Sequence, residues 1–139
     1  MTTAQPPLVT VGALALDPAG RALFVRTHKW RGTWGVPGGK IDRGEAAEAA
    51  LVREFQEETG LAVRDVRFVA VLEAIDSPEF HKPAHMVLLN YVCHCDGGPV
   101  VLNDEAQEWR WLAREEALAL PLNSYTRALI EAAHAMEAF

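Results

Sequence analysis

Apolar positions along the chain come in blocks whose spacing switches between two and nearly four residues, and the switch points set the order of elements. Leu8 to Leu16 is rich in Val and Leu and stops at Asp17-Pro18-Ala19-Gly20, a turn by composition, after which Arg21 to Thr27 reads as the hairpin partner. Glu45 to Thr59 contains no Pro or Gly and is dense in Ala, Leu, Glu and Gln, so it predicts a helix that Gly60 ends. Val63 to Ile75 has β-branched residues at strand density; a polar loop, Asp76 to Pro83, separates it from a second long strand, His85 to Cys95, which Asp96-Gly97-Gly98-Pro99 closes. Glu108 to Leu112 alternates polar and bulky residues as a short strand does, and a brief helix, Arg114 to Ala119, runs up to the break at Pro121. The final helix, Ser124 to Ala138, sets Leu129, Ala132, Ala133 and Met136 at i, i+3, i+4 and i+7, a core-facing stripe. Strands, a helix, more strands and a last helix make an α/β sandwich with a mixed sheet.

With 139 residues, the chain fits one domain, 1–139, with a proper core and no need of disulfides. A net charge of −6 argues against a nucleic-acid backbone as the main partner and makes binding of an anionic substrate depend on cations. No apolar run approaches the roughly 20 residues of a membrane span, and Met1 to Pro7 is polar with no signal-like apolar core. The expectation is a soluble, cytoplasmic protein, with a homodimer left open. Cys93 and Cys95 lie two apart in an apolar strand, so both face one side as small core residues, and His94 turns away from them.

The charge pattern changes the picture at the first helix. Glu54, Glu57 and Glu58 fall within about a third of the helix circumference, while Leu51, Val52, Phe55 and Thr59 turn to a neighbouring side that can pack inward. Like charges at i, i+4 repel, and these sit in the last two turns, where the macrodipole is already negative. A solvated acidic face is the ordinary outcome for such a helix. A hard divalent cation such as Mg²⁺ or Mn²⁺ is the alternative, because converging carboxylates are the ligands it takes.

The flanks decide between these readings. Trp34-Gly35-Val36-Pro37-Gly38-Gly39-Lys40 precedes the helix, and its Pro-Gly-Gly element predicts a tight turn with exposed backbone. From Gly39 to Leu61 the chain reads Gly, five residues, Glu45, seven residues, then Arg53-Glu54-Phe55-Gln56-Glu57-Glu58-Thr59-Gly60-Leu61. This resembles the signature of the Nudix hydrolases at every fixed position, the aromatic Phe55 standing where an aliphatic residue is usual. The resemblance implies a Nudix-type α/β/α sandwich and hydrolysis of a nucleoside diphosphate linked to a group X. It also implies that Glu54, Glu57 and Glu58, with the Gly39 carbonyl, are metal ligands and that Arg53 orients a carboxylate. Glu45, placed in the first helical turn, is expected to steady the loop-helix junction. For the general base the candidates are Glu57 and Glu105, the latter in the loop Asn103 to Gln107, with Asp104 competing for that place.

Recognition of the substrate lies outside the signature. Arg26, His28, Lys29 and Arg31 cluster before the Pro-Gly-Gly turn, where they can meet phosphates or simply form a solvated basic loop. Trp30 can stack on a base, whereas Trp34 reads as structural. Asn123 resembles the base-binding Asn of MutT-type members and is equally suited to cap the last helix. The expected partner is a small nucleotide, in first place a nucleoside triphosphate cut to release pyrophosphate and in second place ADP-ribose or a nucleotide sugar. A domain that senses nucleotides without cleaving them is the competing class; such domains usually lack some signature carboxylates, and none is missing here.

Overall fold

The computed structural model describes residues 5–139, so of the polar start Met1 to Pro7 the first four residues lie outside the described part. The elements are β1 (Leu8–Leu16), β2 (Ala22–Arg26), β3 (Trp34–Gly35), β4 (Gly38–Lys40), α1 (Ala47–Thr59), β5 (Arg64–Ile75), β6 (His85–His94), β7 (Glu108–Leu112), α2 (Arg114–Leu118) and α3 (Ser124–Ala135). A one-turn 3₁₀ helix, His28–Trp30, follows β2. The strands form one sheet of order β3-β2-β1-β6-β5, with β4 paired to β1 and β7 to β2. Among the paired strands described, β1 and β6 run parallel and the other pairs are antiparallel. The sheet is therefore mixed, as the apolar pattern predicts.

Alternation along the central strands supplies both helical layers. Val11, Ala13 and Cys93 face one side, where Ala50, Leu51 and Phe55 of α1 complete a core. Leu14, Phe24 and Val92 face the other, against Ala117 of α2 and Leu129, Ile130 and Ala133 of α3. Cys93 and Cys95 are both buried in the α1-side core, and burial pushes the Cys93 thiol up to about 12.

Several expectations need correction. Helix α1 starts at Ala47, so Glu45 lies in the preceding turn rather than in the first helical turn. Val52 is exposed, and the buried stripe of α1 is Ala50, Leu51, Phe55, Glu58 and Thr59. The Pro-Gly-Gly element is not a tight turn; Gly38 and Gly39 run as strand β4 against Gly12 and Val11. Glycine is needed there because a Cβ on Gly38 would collide with the Val11 carbonyl. The β1–β2 hairpin is confined to Leu16 and Ala22 beside the turn, and β7 is the longer partner of β2. Helix α3 ends at Ala135, and its buried residues are Thr126, Leu129, Ile130 and Ala133, with Ala132 and Met136 only partly covered.

Candidate functional site

Strand β4 and helix α1 meet at the Gly-Gly pair. Packing β4 onto β1 brings the Gly39 backbone under the acidic edge of α1, so close that a Cβ there would overlap the Glu54 carboxylate. The Gly38 N–H donates to Glu58 Oε2 at 2.9 Å. Glu58 is only 8% exposed, since it lies on the inward side of the acidic edge. Glu57, by contrast, has a side chain 55% exposed.

Arg53 holds this edge in place. Its Nε and Nη2 donate to the two Glu45 carboxylate oxygens at 2.7 and 2.8 Å, Nη2 also donates to the Lys40 carbonyl at 3.0 Å, and Nη1 reaches Glu54 at 2.9 Å and Glu57 at 3.2 Å. A guanidinium offers five donors in a fixed plane, which is why one Arg can tie a loop and two helix carboxylates together. The Arg53 hydrogen bonds hold the Glu45 carboxyl down at about 2, and Glu45 in turn raises Arg53.

A third carboxylate arrives from far along the chain. The segment after β6 is stapled over the end of α1 by Val101 N–H to the Thr59 carbonyl and Asn103 N–H to the Glu58 carbonyl, then to β2 by Gln107 N–H to the Arg26 carbonyl. Those bonds carry Glu105 inward, where oxygens of Glu54, Glu58 and Glu105 lie within 4.8 Å of one another. Asp104 is exposed on the outside of the same loop. Burial, reinforced by the hydrogen bond with Glu105, pushes the Glu58 carboxyl up to about 9, while Glu105 is lowered by that bond and by Lys29. Beside the Glu105 carboxylate, Glu58 therefore favours its protonated form. Burial also raises Glu54.

Beside the carboxylates opens a cavity of about 420 Å³. Trp30 forms one wall, with Phe80 edge-on to it at 4.8 Å and Tyr125 at 5.6 Å between ring centres. Lys29 stands between the two halves, lining the cavity and pairing with Glu105 at 3.3 Å. Asn123 is also at the cavity, and its Oδ1 accepts the Thr126 N–H at 2.8 Å as the cap of α3.

Residues 6–133 match the family model described as NUDIX domain. The chain belongs to the Nudix family. Among solved structures it is similar to a MutT NUDIX hydrolase from Burkholderia pseudomallei, at 31% identity and a TM-score of 0.78, over 92% of this chain and 98% of that one. An ADP-ribose pyrophosphatase of Methanocaldococcus jannaschii is 30% identical over 104 residues, 75% of this chain and 60% of that protein. An RNA pyrophosphohydrolase of Teredinibacter turnerae is 43% identical over 63 residues, 45% of this chain and 37% of its own length. The chain thus spans between about a third and two thirds of these two relatives.

Within this Nudix domain the structure brings Gly39, Glu54, Glu58, Glu105 and Lys29 to one place, with Arg53 behind them and Glu57 at the solvent edge. Arg26 is engaged elsewhere, paired with Glu108 at 2.6 Å. His28 turns to His81, with ring centres 6.4 Å apart, and the Arg31 Nε donates to the Pro78 carbonyl. Neither His28 nor Arg26 lines the cavity, although the domain's basic loop was expected to supply both. Trp34 is buried under the Arg110 guanidinium, 5.0 Å from the ring centre, and is structural. Phe80, Asn90 and Tyr125 line the cavity without having been singled out from sequence; only Asn90 left a signal there, as an amide inside the apolar run of β6.

Proposed function

We propose that this Nudix domain hydrolyses a nucleoside diphosphate linked to a group X, most simply a nucleoside triphosphate in the MutT manner. One observation carries the reading: three carboxylates from two distant segments converge beside a cavity with an aromatic wall. Their oxygens converge to within 4.8 Å of one another as hard ligands of the kind a divalent ion takes, so the donor set fits such an ion. Glu54, Glu58 and Glu105, with the Gly39 carbonyl, would hold Mg²⁺ or Mn²⁺. Such an ion supplies charge neutralisation for the diphosphate and activates water as a nucleophile.

The chain's own residues do the remaining work. Arg53 positions Glu54 and Glu57 and is a positioning residue, since it faces the carboxylates rather than the cavity. Glu105 is ionised and sits at the junction of cluster and cavity, so its carboxylate is placed to take a proton from the attacking water; Glu57 is the second candidate. Lys29 places a cation where a phosphate beyond the cluster would lie. Trp30 and Asn123 face the nucleoside, the ring by stacking and the amide by its free N–H groups. The relation to an ADP-ribose pyrophosphatase keeps ADP-ribose as the second reading.

The test is a substrate panel with Mg²⁺ and identified products: the four nucleoside triphosphates, ADP-ribose, nucleotide sugars and an RNA with a 5′-triphosphate. The expected result is cleavage of a diphosphate bond that leaves a nucleoside monophosphate and stops in EDTA. Undiminished activity in excess EDTA, with added Mg²⁺ unable to raise it, would rule out the metal mechanism.

A further inference from the structure

Asn90 is a polar residue where the sheet calls for an apolar one. It lies in the middle of β6, flanked by Leu88, Leu89, Tyr91 and Val92, and is only 7% exposed. Its side-chain amide hydrogen-bonds to none of the described residues. The side chain is mostly buried while its polar atoms stay open to the cavity, so a Leu or Val would bury more apolar surface in the strand. The neighbours do nothing to cover it, since its partners across the two adjacent strands are Gly12 and Ala70. A Cβ at Gly12 would stand 3.6 Å from the Asn90 Oδ1. With small residues on both sides, the amide opens into the 420 Å³ cavity. Thr27, on the same cavity, has a buried Oγ1 with no hydrogen-bond partner among the described residues.

We propose that Asn90 selects the base of the substrate, an inference that rests on the reading of the cavity as a nucleotide site. An amide offers one donor and one acceptor side by side, the complement of a base edge, and a bidentate pair of this kind discriminates between bases by about 1–3 kcal/mol. Asn123 restricts the match further. Its Oδ1 is committed to the helix cap, so toward the cavity it can only donate. The glycine at position 35 leaves room for that donor, because a Cβ there would press on the Asn123 Nδ2 at 3.0 Å. Each base offers such an edge in a different place, so the fixed positions of Asn90 and Asn123 select by where the donor and acceptors lie.

Two substitutions test this with the full chain. Calorimetric binding of AMP, GMP, CMP and UMP without Mg²⁺ gives a readout independent of turnover, and kcat/KM for the four triphosphates gives a second. Asn90→Ala should weaken the preferred nucleotide by about ten- to a hundredfold and compress the spread among the four, with the loss falling on KM. Asn90→Asp, which only accepts, should move the ranking toward guanine, whose ring N–H and 2-amino group both donate. Unchanged ratios among the four in both variants overturn the proposal, as does a wild type that binds all four equally. If Asn90→Asp does not fold, the Asn90→Ala binding ratios decide alone. A wild type that binds one nucleotide selectively but cleaves none would overturn the proposed reaction and leave the assignment of Asn90 to be decided by binding.

Discussion

The two ends of the cleft are built in opposite ways. The carboxylate end draws Gly39, Glu45, Arg53, Glu54, Glu57 and Glu58 from one contiguous stretch, and adds a single long-range residue, Glu105. The other end takes Trp30 from a 3₁₀ turn, Phe80 from a loop, Asn90 from β6 and Asn123 and Tyr125 from the start of α3. The first is over-determined by ion pairs and backbone contacts; the second is held by apolar packing and leaves polar atoms unpaired. Chemistry that must be positioned to a fraction of an ångström is written on one rigid helix. Recognition, which has to follow the substrate, is distributed over elements that can change separately.

The largest effect expected from breaking this contrast is at Glu58. Glu58→Gln should cut turnover by about a thousandfold or more, yet leave metal-free stability at neutral pH unchanged or slightly higher. The amide copies the protonated carboxyl that the folded protein already holds there. Steady-state kinetics together with thermal melts in EDTA check both halves; near wild-type turnover would remove Glu58 from the cluster's function.

Next comes Glu105→Gln, for which we expect a loss of roughly 10²-fold in kcat with little change in Tm, as for a general base carried on a loop. Asp104→Asn, on the outer side of the same loop, should stay within a few fold. The reverse ranking would show that the loop turns one residue further in solution.

At the recognition end, Asn123→Ala should raise KM about tenfold and lower stability by about 1 kcal/mol through the lost helix cap. A rise in KM without any loss of stability would mean that the cap is dispensable. A further effect concerns the pH dependence of the metal-free protein. Because burial holds the folded pKa of Glu58 well above the ordinary carboxylate value of 4.5, the folded state keeps a proton that the unfolded chain releases. Stability is then full below about 4.5 and declines as the pH rises toward about 9. Glu54, also raised by burial, acts in the same direction. Denaturant titrations across this range should show the decline in wild type and a flatter profile in Glu58→Gln.

The same contrast explains what was legible in the sequence. The signature helix, its stop at Gly60 and the mixed sheet could be read because helix period, strand alternation and motif spacing are local properties. The start of α1 was misplaced by two residues because Glu45 is a good helix former that its bonds with Arg53 and the Asp42 N–H hold in a turn. Strand β4 was hidden because its two glycines suggest a turn, whereas they serve a close approach to β1 and to Glu54. Arg26 and His28 looked like phosphate ligands by charge alone, and only the fold shows Arg26 turned to Glu108 and His28 to His81. Of the aromatic wall only Trp30 could be read, as a ring able to stack on a base, since Phe80 and Tyr125 join it only after the sheet has formed.

The most direct test of the central claim, that Glu54, Glu58 and Glu105 form one divalent-cation site, is Mn²⁺ binding measured by calorimetry in two buffers of different ionisation enthalpy. Wild type should bind Mn²⁺ without nucleotide and release a proton as Glu58 ionises, whereas Glu58→Gln should bind at least about tenfold more weakly and release none. Equal affinity and equal proton release in the two proteins would contradict the account.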